Sequence, residues 1–187
     1  TIVTNTDSRL TVRTPLHAAE SVDVTVVTAG GTSPVAAAGS YRFVAGPVVS
    51  SLSVASGTWK GGTTVTITGS VLVGATAVKF GATDAASFSV NNDGTITAVS
   101  PAHAVGVVDV TVTTVGGTSS VSSASKFTYY VPTPVVTAVS PSYGLLAGTD
   151  TITLTGTDLD SVTGVTFGGA AATVVGATPT SITLTNP

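Results

Sequence analysis

His17 and His103 are the two histidines of this 187-residue chain. Imidazole is the side chain best suited to metal ligation or proton transfer near neutral pH. Each stands in one copy of a recurring motif. Thr14-Pro15-Leu16-His17-Ala18 leads into Val22-Asp23-Val24-Thr25-Val26, and Ser100-Pro101-Ala102-His103-Ala104 leads into Val108-Asp109-Val110-Thr111-Val112. The copies are offset by about 86 residues, the length of one small domain. Two imidazoles one domain apart cannot share a ligand, so each is expected to serve its own copy of the fold.

Asp158-Leu159-Asp160 resembles a fragment of a calcium loop, but calcium takes 6–8 oxygen ligands. The corresponding stretch one copy earlier, Val71-Leu72-Val73, has no carboxylate, so a solvated turn is expected and no metal. Asp23 and Asp109 lie between valines, where period-two alternation places them on the solvent face with the threonines. Gly30-Gly31 and Gly116-Gly117 follow a strand instead of opening a helix, so they read as hairpin turns and not as phosphate loops. With no cysteine in the chain, disulfides, thiolate metal sites and a cysteine nucleophile are excluded. No paired carboxylates or Ser-His-Asp arrangement accompany these residues. The expectation is a protein with no catalytic residue, no cofactor and no metal.

Binding is the remaining class of chemistry. Six basic residues against nine acidic, with net charge −3, do not form the clustered cations that phosphate backbones require, so nucleic acid is not an expected partner. Trp59 is the single tryptophan and is followed by Lys60 in a Gly-rich stretch. Tryptophan is enriched at binding hot spots, which suggests a contact with a glycan or surface protein. Packing at a joint between neighbouring domains is the reading favoured for it. Tyr143 completes the set of expected contact or interdomain residues.

The elements that position these residues follow from pattern. Charged residues are 8% of the chain and hydrophobic ones 42%, and Val, Thr, Ile and Gly dominate, which suits pleated strands joined by tight turns. No apolar run approaches the ~18–20 residues of a spanning helix, so membrane insertion is not expected. Alternation predicts strands over 48–53, 64–69, 77–81, 87–91, 95–99, 107–113 and 126–130, with a hairpin turn at Asn92-Asp93-Gly94. Seven short strands within about 86 residues have the size and spacing of an immunoglobulin-like sandwich. Its core is expected to contain Val65, Ile67, Phe80, Val108, Val110, Val112 and Phe127.

Further repeats extend the pattern. Val65-Thr66-Ile67-Thr68-Gly69 returns as Ile152-Thr153-Leu154-Thr155-Gly156, and Val78-Lys79-Phe80-Gly81 as Val165-Thr166-Phe167-Gly168. The expected division is the back half of one repeat (1–44), a complete repeat (45–131) and the front two-thirds of another (132–187). Pro-containing links, Gly46-Pro47 and Val131-Pro132-Thr133-Pro134, are short and stiff because proline fixes φ.

With Val139-Ser140-Pro141, Gly144, Phe167-Gly168-Gly169, Ser100-Pro101, Gly116-Gly117-Thr118-Ser119 and Phe127-Thr128-Tyr129 in this order, the chain resembles the IPT/TIG domain. That family has an immunoglobulin-like fold shared by plexins, transcription factors and many bacterial surface proteins. The stretch 54–60 departs from its pattern, lacking Ser-Pro and carrying Trp59. The resemblance implies a non-catalytic structural or interaction array of an exported, bacterial-type surface protein, stalk or extracellular fibre. The alternatives are a carbohydrate- or protein-binding or spacer region of a larger secreted enzyme or adhesin, or a virion fibre or decoration protein. Residue 1 is not methionine, so a leader removed or lying upstream is expected. Partners are expected to be neighbouring repeats or other copies of the chain, the incomplete repeats completing one another head to tail.

Overall fold

The structure, a computed structural model, describes residues 1–36, 39–146, 148 and 150–187. It divides into two compact units, Thr1–Tyr130 and Val131–Pro187. The first begins with three small pairings: β1 (Ile2–Asn5) with β2 (Leu10–Val12), β3 (Ser21–Asp23) with β6 (Ser40–Arg42), and β4 (Val27–Thr28) with β5 (Gly31–Thr32). Among the described residues of 1–44 none is fully buried. Val24 and Val26, which would face a core, stand 49% and 41% exposed.

The rest of this unit is a two-layer sandwich. Its strands are β7 (Val48–Leu52), β8 (Ser56–Thr58), β9 (Thr64–Ser70), β10 (Ala77–Phe80), β11 (Thr83–Asp84), β12 (Ser87–Asn92), β13 (Thr95–Val99), β14 (Gly106–Thr114), β15 (Gly117–Thr118) and β16 (Lys126–Tyr130). One sheet runs β12-β13-β9-β7; the other runs β11-β10-β14-β16-β8, with β15 on β14. Alternation decides the layers, because successive side chains of a strand point to opposite faces. In β9, Val65 and Ile67 are buried between outward threonines. Their cross-strand partners Ala98 and Ile96 are buried with them. In the other sheet, Phe80 pairs with Val110 and Val78 with Val112.

Six of the seven expected core residues are fully buried; Val108 is half-buried and packs against the cluster's rim. All seven expected strands form. The chain also has a strand at 56–58, where a loop was expected. β8 runs parallel to β16, with Thr128 opposite Ser56 and Tyr130 opposite Thr58. It lacks alternation because it is an edge laid over one aromatic ring. A Cβ on Gly57 would stand 2.8 Å from the Phe127 ring and collide with Thr63.

The second unit is one five-stranded sheet, β17-β18-β21-β20-β19. Its strands are β17 (Val135–Ser140), β18 (Thr151–Thr157), β19 (Val165–Phe167), β20 (Ala170–Ala177) and β21 (Ser181–Thr185). Its register reproduces the sheet above: Ile152 opposes Leu184 and Leu154 opposes Ile182, and all four are buried with Leu159. Counterparts of β14 and β16 are not among its strands. Among the described residues, no helix is long and apolar enough to cross a membrane.

Truncating a fully buried aromatic removes its transfer energy and leaves a cavity. Phe80→Ala is expected to lower the unfolding free energy of the sandwich by about 3–5 kcal/mol in urea titrations. A loss well under about 1 kcal/mol would mean that the register is wrong.

Candidate functional site

The histidines have one geometry in both copies. His103 stacks on Tyr129 with ring centroids 5.0 Å apart and 20° between planes; its Nδ1 lies 2.8 Å from the Ala104 carbonyl. His17 stacks on Phe43 at 4.8 Å and 19°, with Nδ1 3.1 Å from the Ala18 carbonyl. Each imidazole is thus flattened against the aromatic that ends its repeat and tied back to its own loop. Edge-on packing continues the cluster: Phe127 meets Tyr129 at 5.0 Å and 71°, and Tyr41 meets Phe43 at 5.0 Å and 73°. In the complete repeat a third ring closes it, Phe80, 5.2 Å from Phe127. Such pairs add about 0.5–1.5 kcal/mol beyond area burial. Burial pushes the Tyr129 phenol above its usual range, and the Ser100 side chain opposes this in part.

Asp109 has the structural role expected of it on the outward face, but is half-buried instead of exposed. Cross-strand pairing puts it directly opposite Lys126, whose Nζ donates to Oδ2 at 2.9 Å. The buried Ser125 hydroxyl donates to Oδ1 at 3.0 Å and accepts the Ser122 N–H. The carboxylate therefore binds β14 to β16 and to the 3-10 turn before it, Ser123–Ser125. The Lys126 hydrogen bond holds Asp109 below the usual carboxylate range, against an upward push from desolvation, and Ser125 adds to the lowering. Asp23, its counterpart, is exposed.

The Asp158-Leu159-Asp160 segment and its counterpart Val71-Leu72-Val73 share one turn. Asp158 has φ 56° and Val71 φ 57°, and the central Leu159 and Leu72 plug their cores at 1% and 0% exposure. The first position demands the left-handed region, which aspartate tolerates and valine adopts at a cost. The backbone reason for Asp158 is therefore visible. Among the described residues, no group of three or more His, Cys, Asp or Glu side chains is placed to hold a metal ion.

The glycine pairs form hairpin turns. Gly116 N–H donates to Thr114 Oγ1 and Gly30 N–H to Thr28 Oγ1, both at 3.2 Å. Gly116 also lies against the linker that enters the sandwich, since a Cβ there would collide with the Ala45 carbonyl. This touch of hairpin on linker was not foreseen, and Gly30, the matching residue of the other copy, meets only its own Thr28.

Trp59 follows β8 directly. Its N–H donates to the Tyr130 carbonyl and its carbonyl accepts the His103 N–H, each at 2.9 Å, while the residue stays 38% exposed. Its backbone is thus fixed to the aromatic end of its own sandwich. Lys60 beside it is half-buried, and Tyr143, in the second unit, is 86% exposed.

The family model described as IPT/TIG domain matches residues 47–129 and 134–187. No curated protein matches the chain significantly. Among solved structures, the chain is similar to the plexin A4 full extracellular region, domains 1 to 10. Identity is 24% over 79% of this chain and 13% of that one, with a TM-score of 0.44. It is also similar to the surface glycan-binding protein PbSGBP-B from Prevotella bryantii, at 16% identity over 75% of this chain and 36% of that one, TM-score 0.39. SGBP-B from a complex xyloglucan utilization locus in Bacteroides uniformis matches at 17% identity, over 75% of this chain and 42% of that one, TM-score 0.36. The chain spans less than half the length of each.

The depressed Asp109 carboxyl fixes the sign of a pH effect. Its contribution to stability is fully present above the ordinary carboxylate pKa and lost as pH falls through the lower folded value. Asp109→Asn should therefore be less stable than the parent by a constant margin from neutral pH down to about pH 4, with the margin closing below that. Urea titrations across this range check it. A margin that grows on acidification would contradict the assignment.

Proposed function

Because the chain belongs to the IPT/TIG family of immunoglobulin-like domains, we propose that it is a non-catalytic structural and interaction segment of an exported, bacterial-type surface protein. It serves as part of a stalk or extracellular fibre. The repeats are 1–44, 45–131 and 132–187, and they extend the array by pairing with neighbouring repeats or other copies. One observation carries this reading: the residues with most chemical capacity serve the scaffold. His17 and His103 are stacked identically on Phe43 and Tyr129, and Asp109 is held by Lys126 and Ser125. A repeat that spends its imidazoles on holding its end strand is a building element. Outward threonines and serines supply hydration in place of charge.

A second reading has its own support. Trp59 presents an exposed indole from a backbone fixed on both sides, with Lys60 adjacent. A rigid aromatic of this kind loses little entropy on binding a sugar ring or a partner surface. In this reading the segment is a carbohydrate- or protein-binding spacer of a larger secreted protein.

Antibodies raised against residues 45–131 should label intact producing cells or their extracellular fibres, and labelling confined to lysed cells would contradict the surface reading. Binding of the purified chain to arrayed glycans, lost in Trp59→Ala with unchanged melting temperature, would favour the second reading.

A further inference from the structure

We propose that the complete repeat resists tension along the chain through the parallel pair β8 and β16, with Trp59 as the stop that keeps β8 from sliding. The proposal rests on the array reading above, since a stalk or fibre is pulled through its ends, and it names the element that sets the force at which the bead opens. Entry and exit of the chain supply the first step. The incoming linker lies against the β14–β15 hairpin: a Cβ on Gly116 would collide with the Ala45 carbonyl, and a Cβ on Gly46 would stand 3.3 Å from the Gly116 carbonyl. That hairpin follows Thr114, beyond the part of β14 that opposes Lys126, where β16 begins. The chain leaves the sandwich at Tyr130, the other end of β16. Tension therefore runs lengthwise along the strands.

Under that load the two strands are drawn in opposite directions. β8 and β16 run parallel, Ser56 to Thr58 beside Thr128 to Tyr130, and both run from the entry end to the exit end. The load pulls β8 back toward the entry and β16 out toward the exit. All rungs of the ladder are then strained together, from the Thr128 N–H on the Ala55 carbonyl at 2.8 Å to the Trp59 N–H on the Tyr130 carbonyl at 2.9 Å. Strands peeled from one end would lose those rungs one at a time. β16 is the anchored partner, because Asp109 accepts from both Lys126 and Ser125 and so fastens it to β14. β7 receives the load before β8, but its ladder with β9 is interrupted between Val49 and Ser51. Its release leaves β8 in place over Phe127.

Side chains oppose the sliding as well. Gly57 lies over Phe127 in a space that no Cβ can enter, since one there would meet the Phe127 ring at 2.8 Å and collide with Thr63. β8 can slip past β16 only in steps of two residues, because a one-residue slip turns every side chain to the other face. A two-residue slip toward the entry carries residue 59 to the place of Gly57. Pairing continues through Trp59, so alternation puts its side chain on the Gly57 side of the strand. The first residue drawn into the glycine's slot is thus the chain's single tryptophan, and it cannot enter.

The chain lacks cysteine, so the attachment points for single-molecule pulling can be chosen freely. In the full chain, Val44→Cys with Val131→Cys loads the sandwich across its ends. Val54→Cys with Ser123→Cys instead peels β8 and β16 apart from their shared entry end; all four positions are exposed. Opening should release roughly 290–310 Å of chain in the first geometry and roughly 230–250 Å in the second, less the folded separations. At matched loading rate the force across the ends should be at least about twice the peeling force, because the evenly spaced bonds of a parallel ladder break together in shear. Forced opening reads the barrier and not the equilibrium stability. Trp59→Ala keeps the last rung and removes the stop, so it should lower the force across the ends and leave the peeling force and melting temperature unchanged. Equal forces in the two geometries, a force across the ends indifferent to Trp59→Ala, or an equal loss in both geometries would each overturn the proposal. Surface labelling is read separately, so the array reading would survive any of these results.

Discussion

Everything in the complete repeat is arranged around the seam where three rings, Phe80, Phe127 and Tyr129, meet between two sheets, with His103 flat on the outer one. Aliphatic alternation can form each sheet separately. What brings the sheets into one body is bulk at this seam, since aromatic residues bury the largest areas and prefer the edge-on geometry seen here. The seam also sets the chain's path around it. Gly57 is required because β8 passes directly over Phe127, and the His103 loop must approach closely enough for its N–H to bond the Trp59 carbonyl. Asp109, Lys126 and Ser125 then fasten β16, whose inner face carries Phe127 and Tyr129, to β14 beside it.

The segments on either side of the complete sandwich repeat parts of this arrangement. In 1–44 the rings of Tyr41 and Phe43 and the stacked His17 keep their mutual geometry, yet valines of the same strands remain exposed. In 131–187 the sheet keeps its register and buries Ile152, Leu154, Ile182 and Leu184, while Phe167 stays half-covered.

The fold was largely legible in the sequence because alternation, turn chemistry and repeat offset agree. Val65 and Ile67 between threonines, and Asn92-Asp93-Gly94 between two strands, each point to one local structure. β8 escaped because Ser56, Gly57 and Thr58 carry no alternation; their strand character comes from a partner some seventy residues away. The partners of Asp109 were hidden for a related reason. Its face follows from alternation, but its partner Lys126 follows from which strands are neighbours, and one-dimensional pattern does not contain that. The shared turn at Val71 and Asp158 was visible as a correspondence. Its left-handed backbone was not, because valine at the first position hides the requirement that aspartate satisfies. For Trp59, residue type suggested a contact, whereas the fixing of its backbone to Tyr130 and His103 depends on the folded seam.

The claim that this seam governs the fold is tested most directly at Gly57. Replacing it with alanine adds a single methyl group on the edge strand, at a backbone conformation any residue can adopt. In equilibrium urea unfolding, Gly57→Ala should cost about 1–3 kcal/mol, the range for overpacking a close-packed core, because the new methyl meets the Phe127 ring and Thr63. Unchanged or increased stability would contradict the account, since it would show that β8 does not rest on the aromatic seam.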